Sequence, residues 1–319
     1  MKRLFLLIPL IIVLVFVSCN KTPKSAKWQD TPTTGTIPIA CDQCFEPVIQ
    51  SQIAVFESRY IAASIFPIYT DEVEAIQLLL KDSVRLAVSS RGLTEEEKAV
   101  FTDRKMFVRE LKIAIDAVAL IVNKENEESI IGIPILKKIL TGEITEWKQL
   151  NPKSKLGKID VIFDNPNSST VRYAIDSICG GEGLSEKLYA QKNNLEVLEM
   201  VSKVPGALGI IGINWISNEN DSTQLSFNDK IKVLAVSPYA SPDGYNSFKP
   251  FQYQIVLGKY PMTRDVYILL SDPRTGLSTG FASFITGDIG QRIILKSGLV
   301  PATGYIRIRE VSVSDNYPF

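Results

Sequence analysis

Short β-branched runs alternate along this chain with stretches whose apolar residues recur every three or four positions. Thr36–Ala40 opens the series as a strand, and Val48, Ile49, Ile53, Phe56 and Tyr60 then mark one helical face. Phe66–Tyr69 reads as a strand, Val73, Ile76, Leu79 and Leu80 as a helix, and Arg85–Ser89 as a strand again. Thr94 with Glu97 has the spacing of a capping box and starts a further helix. A long apolar run, Ile113–Val122, is interrupted only by Asp116 and is long enough to leave one lobe and enter another. Asp116 is expected there as a polar strand residue near the hinge, not as a ligand. Pro134 starts a helix that Gly142 stops, and Trp147 follows, packed under a loop.

The second half continues the alternation. Ile159–Phe163 is a buried strand, and Val171, Ile175 and Ile178 fall on one helical face. Leu195, Leu198, Val201 and Val204 line another helix, broken by Pro205-Gly206. Gly209–Ile213 is a buried strand whose glycines mark a close backbone approach. Lys230–Val236 and Tyr253–Leu257 read as strands around a turn-rich loop, 237–250. Val266–Leu270 is a strand; Phe281–Ile285 and Gly290–Ile294 are helical. Strands alternating with helices predict α/β architecture with mostly parallel sheets.

Two loops share one design. Cys41-Asp42-Gln43-Cys44-Phe45-Glu46-Pro47 and Asp164-Asn165-Pro166-Asn167-Ser168-Ser169-Thr170-Val171-Arg172 each run from a strand end into a helix start. A helix start offers unpaired N–H groups and the positive end of a dipole, the usual cradle for phosphate-like anions. Taken alone, Ser168, Ser169 and Thr170 are better explained by helix capping. In open α/β sheets, however, ligands bind at such strand ends. Ser89-Ser90-Arg91 ends a third strand and adds two hydroxyls and a guanidinium.

Composition narrows the chemistry. In 319 residues, Lys plus Arg and Asp plus Glu both total 35, so no global field favours nucleic acid. The sequence has no His, which weighs against zinc sites and Ser-His-Asp hydrolysis; no metal or other cofactor is expected. Lys2 and Arg3 precede an apolar segment, Leu4–Val17, too short for a spanning helix. It ends Phe16-Val17-Ser18-Cys19, which resembles a bacterial lipobox, with Phe16 in place of the usual Leu. That resemblance implies cleavage before Cys19, lipidation of its thiol and a membrane anchor. Residues 1–18 are then a signal peptide and 19–35 a polar tether.

Several marks in this order resemble the substrate-binding lipoproteins of phosphate ABC importers, type II periplasmic binding proteins. They are Ser89-Ser90-Arg91-Gly92-Leu93, Leu140-Thr141-Gly142-Glu143-Ile144-Thr145-Glu146-Trp147, Ser168-Ser169-Thr170, Pro205-Gly206-Ala207-Leu208-Gly209, Tyr260-Pro261-Met262 and Gly290-Gln291-Arg292-Ile293-Ile294. The resemblance spans about residues 36–304 and implies a non-enzymatic, two-lobed α/β protein joined by crossing strands. Lobe 1 would comprise residues 36–115 and 258–319, and lobe 2 residues 116–257. An inorganic oxyanion, phosphate first, would be captured between them and delivered by a monomer to a membrane permease.

Carried over by position, the ligands fall on Cys44, Phe45, Ser90, Ser168, Ser169 and Thr170. The chain departs from the family at four of the places compared, one of them Ser169, where a Gly is usual between the central Ser and Thr. A thiol stands at Cys44 where a hydroxyl is usual, Ser90 stands where an Asp accepts the phosphate proton, and Asp164 stands where an Arg is expected. Arg91 and Arg172 are candidates for the missing positive charge. Asp164 has two readings: it caps the following turn with Asn165 or Asn167, or it faces the cleft and accepts the proton. The competing function is thiol-redox or sensing chemistry on the same fold, prompted by Cys41-x-x-Cys44 and by the low thiol pKa that a helix N-terminus favours. Against it, the flanking residues lack a thioredoxin pattern, and free or merely structural thiols are expected.

Overall fold

The computed structural model describes residues 30–186, 188–218 and 226–304. One strand organises it. β4 (Arg109–Val122) is fourteen residues long and links the two halves of one sheet. Its first part, Arg109 to Ala117, pairs antiparallel with β11 (Thr263–Leu270). Its last part, Val118 to Val122, pairs antiparallel with β8 (Ala207–Gly212). From β11 the sheet runs through β3 (Leu86–Ser89) and β1 (Gly35–Asp42) to β2 (Ala63–Thr70); β1 lies parallel to both β2 and β3. From β8 it runs in parallel to β6 (Asp160–Phe163) and the short β7 (Tyr189–Ala190). Of the remaining short strands, β5 (Ile130–Gly132) pairs with β10 (Ala235–Ser237), while β9 (Lys232–Val233) and β12 (Val300–Pro301) pair with β4.

The result is a single curled path with helices on its faces, as the alternating pattern predicts. Residues 113–122 are almost wholly buried, so this run carries core on both sides of the changeover. At about 25 cal/mol for each Å² of apolar surface removed from water, such a run anchors both halves.

Helices α1 (Glu46–Arg59), α2 (Glu72–Leu80) and α3 (Glu95–Asp103) follow the first three strands. Pro47 sits in the first turn of α1, and Thr94 and Glu97 form the expected reciprocal cap on α3. In the second half, α4 (Ile133–Leu140) precedes a tight turn at Trp147, whose buried ring donates its Nε1–H to Gly206 O at 3.0 Å. Then come α5 (Ser169–Tyr173), α6 (Asn194–Lys203), α7 (Gln252–Val256), α8 (Leu277–Thr286) and α9 (Asp288–Lys296).

Some expected faces are corrected. Tyr253–Leu257 lies in helix α7 and its C-cap, not in a strand: a two-position apolar run does not distinguish the two. α5 runs directly into a π-helical turn, Ala174–Ile178, whose wider spacing rotates the buried stripe to Tyr173, Ala174 and Ile178 and leaves Val171 and Ile175 half-buried. On α6 the buried residues are Asn194, Val197 and Val201, while Leu195 is 61% exposed. Gly209 is crowded by side chains, not by backbone: a Cβ there would meet Val201 Cγ2 at 2.7 Å and Ile121 Cγ1 at 2.8 Å. The described end of the expected tether is docked, since Leu277 N–H donates to Asp30 Oδ1 at 2.6 Å at the start of α8. Residues 1–18 and Cys19 lie outside the described residues. No described helix is long and apolar enough to cross a membrane.

Candidate functional site

β1 ends at Asp42, and its backbone turns through Gln43–Phe45 into α1. Asp42 makes that turn: its Oδ1 accepts Cys44 N–H at 3.1 Å. β6 ends at Phe163, and Ser168 caps the helix that follows, its Oγ accepting Val171 N–H at 3.2 Å. The two strand-to-helix turns meet. Cys44 Sγ donates to Asp164 Oδ2 at 3.2 Å and lies 3.2 Å from Thr170 Oγ1. Two donors from the turn after β8, Asn214 Nδ2 and Trp215 Nε1, each reach Cys44 O at 2.9 Å. Cys44, Phe45, Asp164, Ser169 and Thr170 are therefore brought together and are all but inaccessible to solvent.

Behind them lies Arg264, the residue that reading the sequence missed. It is 7% exposed, its Nε donates to Asp116 Oδ2 at 2.8 Å and its Nη1 to Ser169 Oγ at 2.9 Å. Its guanidinium stands 5.2 Å from the Phe45 ring centroid, in cation–π range. One signal for it was available: Arg264 shares strand parity with buried Val266 and Ile268. Asp116 is thus a fully buried ion-pair partner and not simply a polar strand residue.

Ser90 and Arg172 meet around a second missed residue, Glu72 of α2. Glu72 Oε1 accepts from Ser89 Oγ at 2.9 Å and from both the N–H and Oγ of Ser90 at 2.8 Å. Arg172 donates from Nε to Glu72 Oε2 at 2.6 Å and from Nη2 to Ser90 Oγ at 2.7 Å. These contacts tie α5 to α2 and the end of β3. Arg91 differs from the expectation: it makes a bidentate pair with Glu97, at 2.7 and 2.8 Å, and not with this group. Its backbone position simply favours the nearby capping carboxylate. Asp164 does not cap the following turn; Asn165 does so, accepting Asn167 N–H at 2.8 Å. Asp164 instead accepts from Cys44 and, at 3.3 Å, from Asn194 Nδ2.

The electrostatics are unusual for an anion cradle. Four buried carboxylates (Asp42, Glu72, Asp116 and Asp164) share two guanidiniums, Arg172 and Arg264. Burial first, and then the Glu72 charge, push Asp42 up to about 7. Burial also raises Asp116, against the opposing pull of Arg264. Glu72 is held below the usual carboxylate range: burial would raise it, but the hydrogen bond and charge of Arg172 and the bonds from Ser90 prevail. Both thiols of the Cys41-x-x-Cys44 pair are free and buried, and burial with nearby carboxylates drives their pKa upward. That is the reverse of an activated redox thiol.

A model of the PBP superfamily domain matches residues 27–288. The chain belongs to that superfamily. Members similar to it include the phosphate-binding protein PstS of Bacillus subtilis strain 168, 22% identical over 95% of this chain and 94% of that protein. The protein of the same name from Borreliella burgdorferi is 26% identical over 91% and 98%. Among solved structures, a Clostridium perfringens protein determined with bound phosphate superposes with a TM-score of 0.70, at 21% identity, over 84% of this chain and 100% of that one. An ABC-type phosphate transport receptor from Vibrio cholerae gives 0.61 at 20% identity over 84% and 100%. This superfamily fold is a two-lobed α/β architecture, and its members here are binding proteins, not enzymes.

Proposed function

We propose that this chain is the substrate-binding lipoprotein of an ABC importer, capturing an inorganic oxyanion, phosphate above others, between its two lobes. The observation that carries the reading is the meeting of two strand-to-helix turns, Gln43–Phe45 and Ser168–Thr170, over the buried guanidinium of Arg264. The first N–H groups of such turns lack intrahelical partners and, with hydroxyls and a guanidinium, form a directed donor set in a dry place. Lobe 1 is assigned to residues 36–115 and 258–319 and lobe 2 to 116–257. The change of β4 partner after Ala117 supports that division.

Ligands in this reading are Cys44, Phe45, Ser90, Ser169, Thr170 and Arg264, with Ser168 capping and Arg172 holding Ser90. Asp164 faces the same group. Arg91, engaged by Glu97, is left out of the set. The protein acts as a monomer, lipid-anchored through Cys19 outside the cell membrane, and docks on a permease. Cys19→Ala should leave it uncleaved or released from membranes.

The redox alternative is disfavoured by burial of both thiols. The test is calorimetric titration of the protein lacking residues 1–29 with phosphate, arsenate, sulfate and molybdate. Phosphate and arsenate should bind with a 1:1 stoichiometry. Absence of heat with all four would sink the reading.

A further inference from the structure

Most contacts that run from one proposed lobe to the other involve the site itself. They are Cys44 with Asp164 and Thr170, Arg264 with Ser169, and the Asn214 and Trp215 donors on the Cys44 carbonyl. Another lies beside the site and is ionic. Arg172 of lobe 2 reaches Glu72 of lobe 1 from Nε at 2.6 Å and from Nη2 at 3.4 Å. The Arg264–Asp116 pair is not comparable: the two residues are register partners on β11 and β4, so the ladder keeps them together whatever the lobes do. Among the described residues, Glu72–Arg172 is therefore the ion pair that closing makes and opening breaks.

The pair is built unevenly. Glu72 is fixed from within lobe 1: it is the first residue of α2, is 2% exposed, and takes Ser89 Oγ, Ser90 N–H and Ser90 Oγ on one oxygen. Burial would neutralise this carboxylate, but the Arg172 bond and charge, with the bonds from Ser90, keep it ionised. The Arg172 side chain is 33% exposed and has a second carboxylate on its own lobe, Asp176, 3.5 Å from Nη1. It has a partner in either state: Glu72 when the lobes meet, Asp176 and water when they part.

We propose that Glu72 and Arg172 form a latch that holds the lobes together independently of the anion, and that ionic strength sets how often it is shut. This rests on the two-lobe, oxyanion-binding reading above and adds a control on closure that the ligand does not supply. A pair with one partner reaching solvent is screened by salt, whereas the Arg264–Asp116 pair, inaccessible to water, is screened far less. Salt also stabilises the separated charges, and Asp176 competes for the same guanidinium, so both act toward opening. An anion enclosed by the lobes leaves only after the latch lets go. The pair therefore governs release more than capture.

The test is single-molecule fluorescence transfer between dyes on Glu74→Cys and Glu199→Cys, exposed positions in the two lobes, in the protein lacking residues 1–29. Its own described cysteines are buried and stay unlabelled. Without phosphate, raising NaCl from about 20 mM to about 500 mM should shift the wild type toward the open state about fivefold. Arg172→Met should be about tenfold more open at low salt and insensitive to salt, and Glu72→Gln should shift the same way. Asp176→Asn, which leaves the site untouched, should shift the protein toward the closed state. Stopped-flow release of phosphate should be about tenfold faster from Arg172→Met. Equal open fractions in the wild type and Arg172→Met, or a salt response that survives in that variant, overturn the latch and leave the phosphate reading standing. Weaker phosphate binding with an unchanged open fraction also overturns it, and reduces Arg172 to orienting Ser90. If Arg172→Met does not fold, Glu72→Gln and Asp176→Asn decide by the same readout. A wild type that phosphate neither closes nor binds removes the binding reading itself.

Discussion

Replacing Arg264 with Met should destabilise the protein by about 3–5 kcal/mol, because it strands Asp116 with no countercharge at a position inaccessible to solvent. The magnitude follows from the geometry. At 2.8 Å the Arg264–Asp116 attraction is about 6 kcal/mol with an effective dielectric constant of about 20. Removing two ions from water costs several kcal/mol each, so the intact pair is close to neutral overall. Deleting one partner forfeits the attraction and keeps the other's desolvation. Arg264→Met/Asp116→Val, which removes both, should therefore lie within about 1–2 kcal/mol of the wild type. The assay is urea unfolding of the wild type, both single variants and the double variant, closed as a cycle. A coupling energy of about 3 kcal/mol is expected between the two positions. The loss in Arg264→Met should shrink as the pH falls and Asp116, already raised by burial, takes up a proton. Additive single costs, or a Met variant within about 1 kcal/mol of the wild type, would refute the argument. The double variant should also fail to bind phosphate while remaining folded, which separates the structural role of Arg264 from its role as a donor.

Arg172→Met removes the donor that ties α5 to Glu72 and Ser90. It should cost about 1–3 kcal/mol in urea unfolding, since Glu72 is left a buried, partly unsatisfied acceptor. Glu72→Gln, which still accepts from the serines, should cost less; a larger loss than Arg172→Met would contradict this. Asp42 sets a pH dependence. Its folded pKa of about 7 lies above its ordinary 3.8, so the native state keeps a proton that the unfolded state has shed. Stability from this group is full below about pH 4, falls as pH rises to about 7 and is constant beyond, by about 4 kcal/mol in all. Asp42→Asn should abolish that slope, and an unchanged slope would reject the assignment. Neither Cys41 nor Cys44 should react with a thiol reagent until the protein unfolds, and no catalytic insulin reduction should be seen.

The fold was largely legible because the longer strands and most helices carry a strong period. The long apolar run at 113–122 announced a strand shared between two halves, and β4 is that strand. The capping box at Thr94 and the two strand-to-helix turns were equally plain. What remained hidden depends on tertiary placement. A five-residue helix that widens into a π turn has no sequence signature that fixes its buried face. Glu72 reads as an ordinary first-turn acid beside the Asp71 cap, yet it is 2% exposed because Ser90 and Arg172 close over it. Arg264 was overlooked because a lone basic residue in a strand ordinarily faces water. Its parity with Val266 and Ile268 was the available warning. Arg91 and Arg172 were both candidates in the sequence, and the position of Glu97 against that of Glu72 distinguishes their roles.

The excess of carboxylate bears on how such a protein couples ligand to closure. With the two turns in contact, Asp42, Asp164, Asn194 and Asn214 each have a buried oxygen that no protein group pairs, and each such group carries a penalty of about 1–3 kcal/mol. Glu72 meanwhile raises the cost of charging Asp42. The first penalty exists in full only while β1, β6 and their helices are pressed together, whereas Asp42 and Glu72 belong to the same half. Separating the two turns lets water reach the same atoms. On the proposed function, a ligand that pairs these atoms removes the penalty where it arises. Its binding energy is then expressed as closure, since a ligand shifts such an equilibrium only by its preference for one state. A site lined with arginines would attract an anion more strongly, but it would have less reason to stay open without one. By this argument the acidic residues set the threshold for closing, and Arg264 with the paired helix starts supplies the attraction that crosses it.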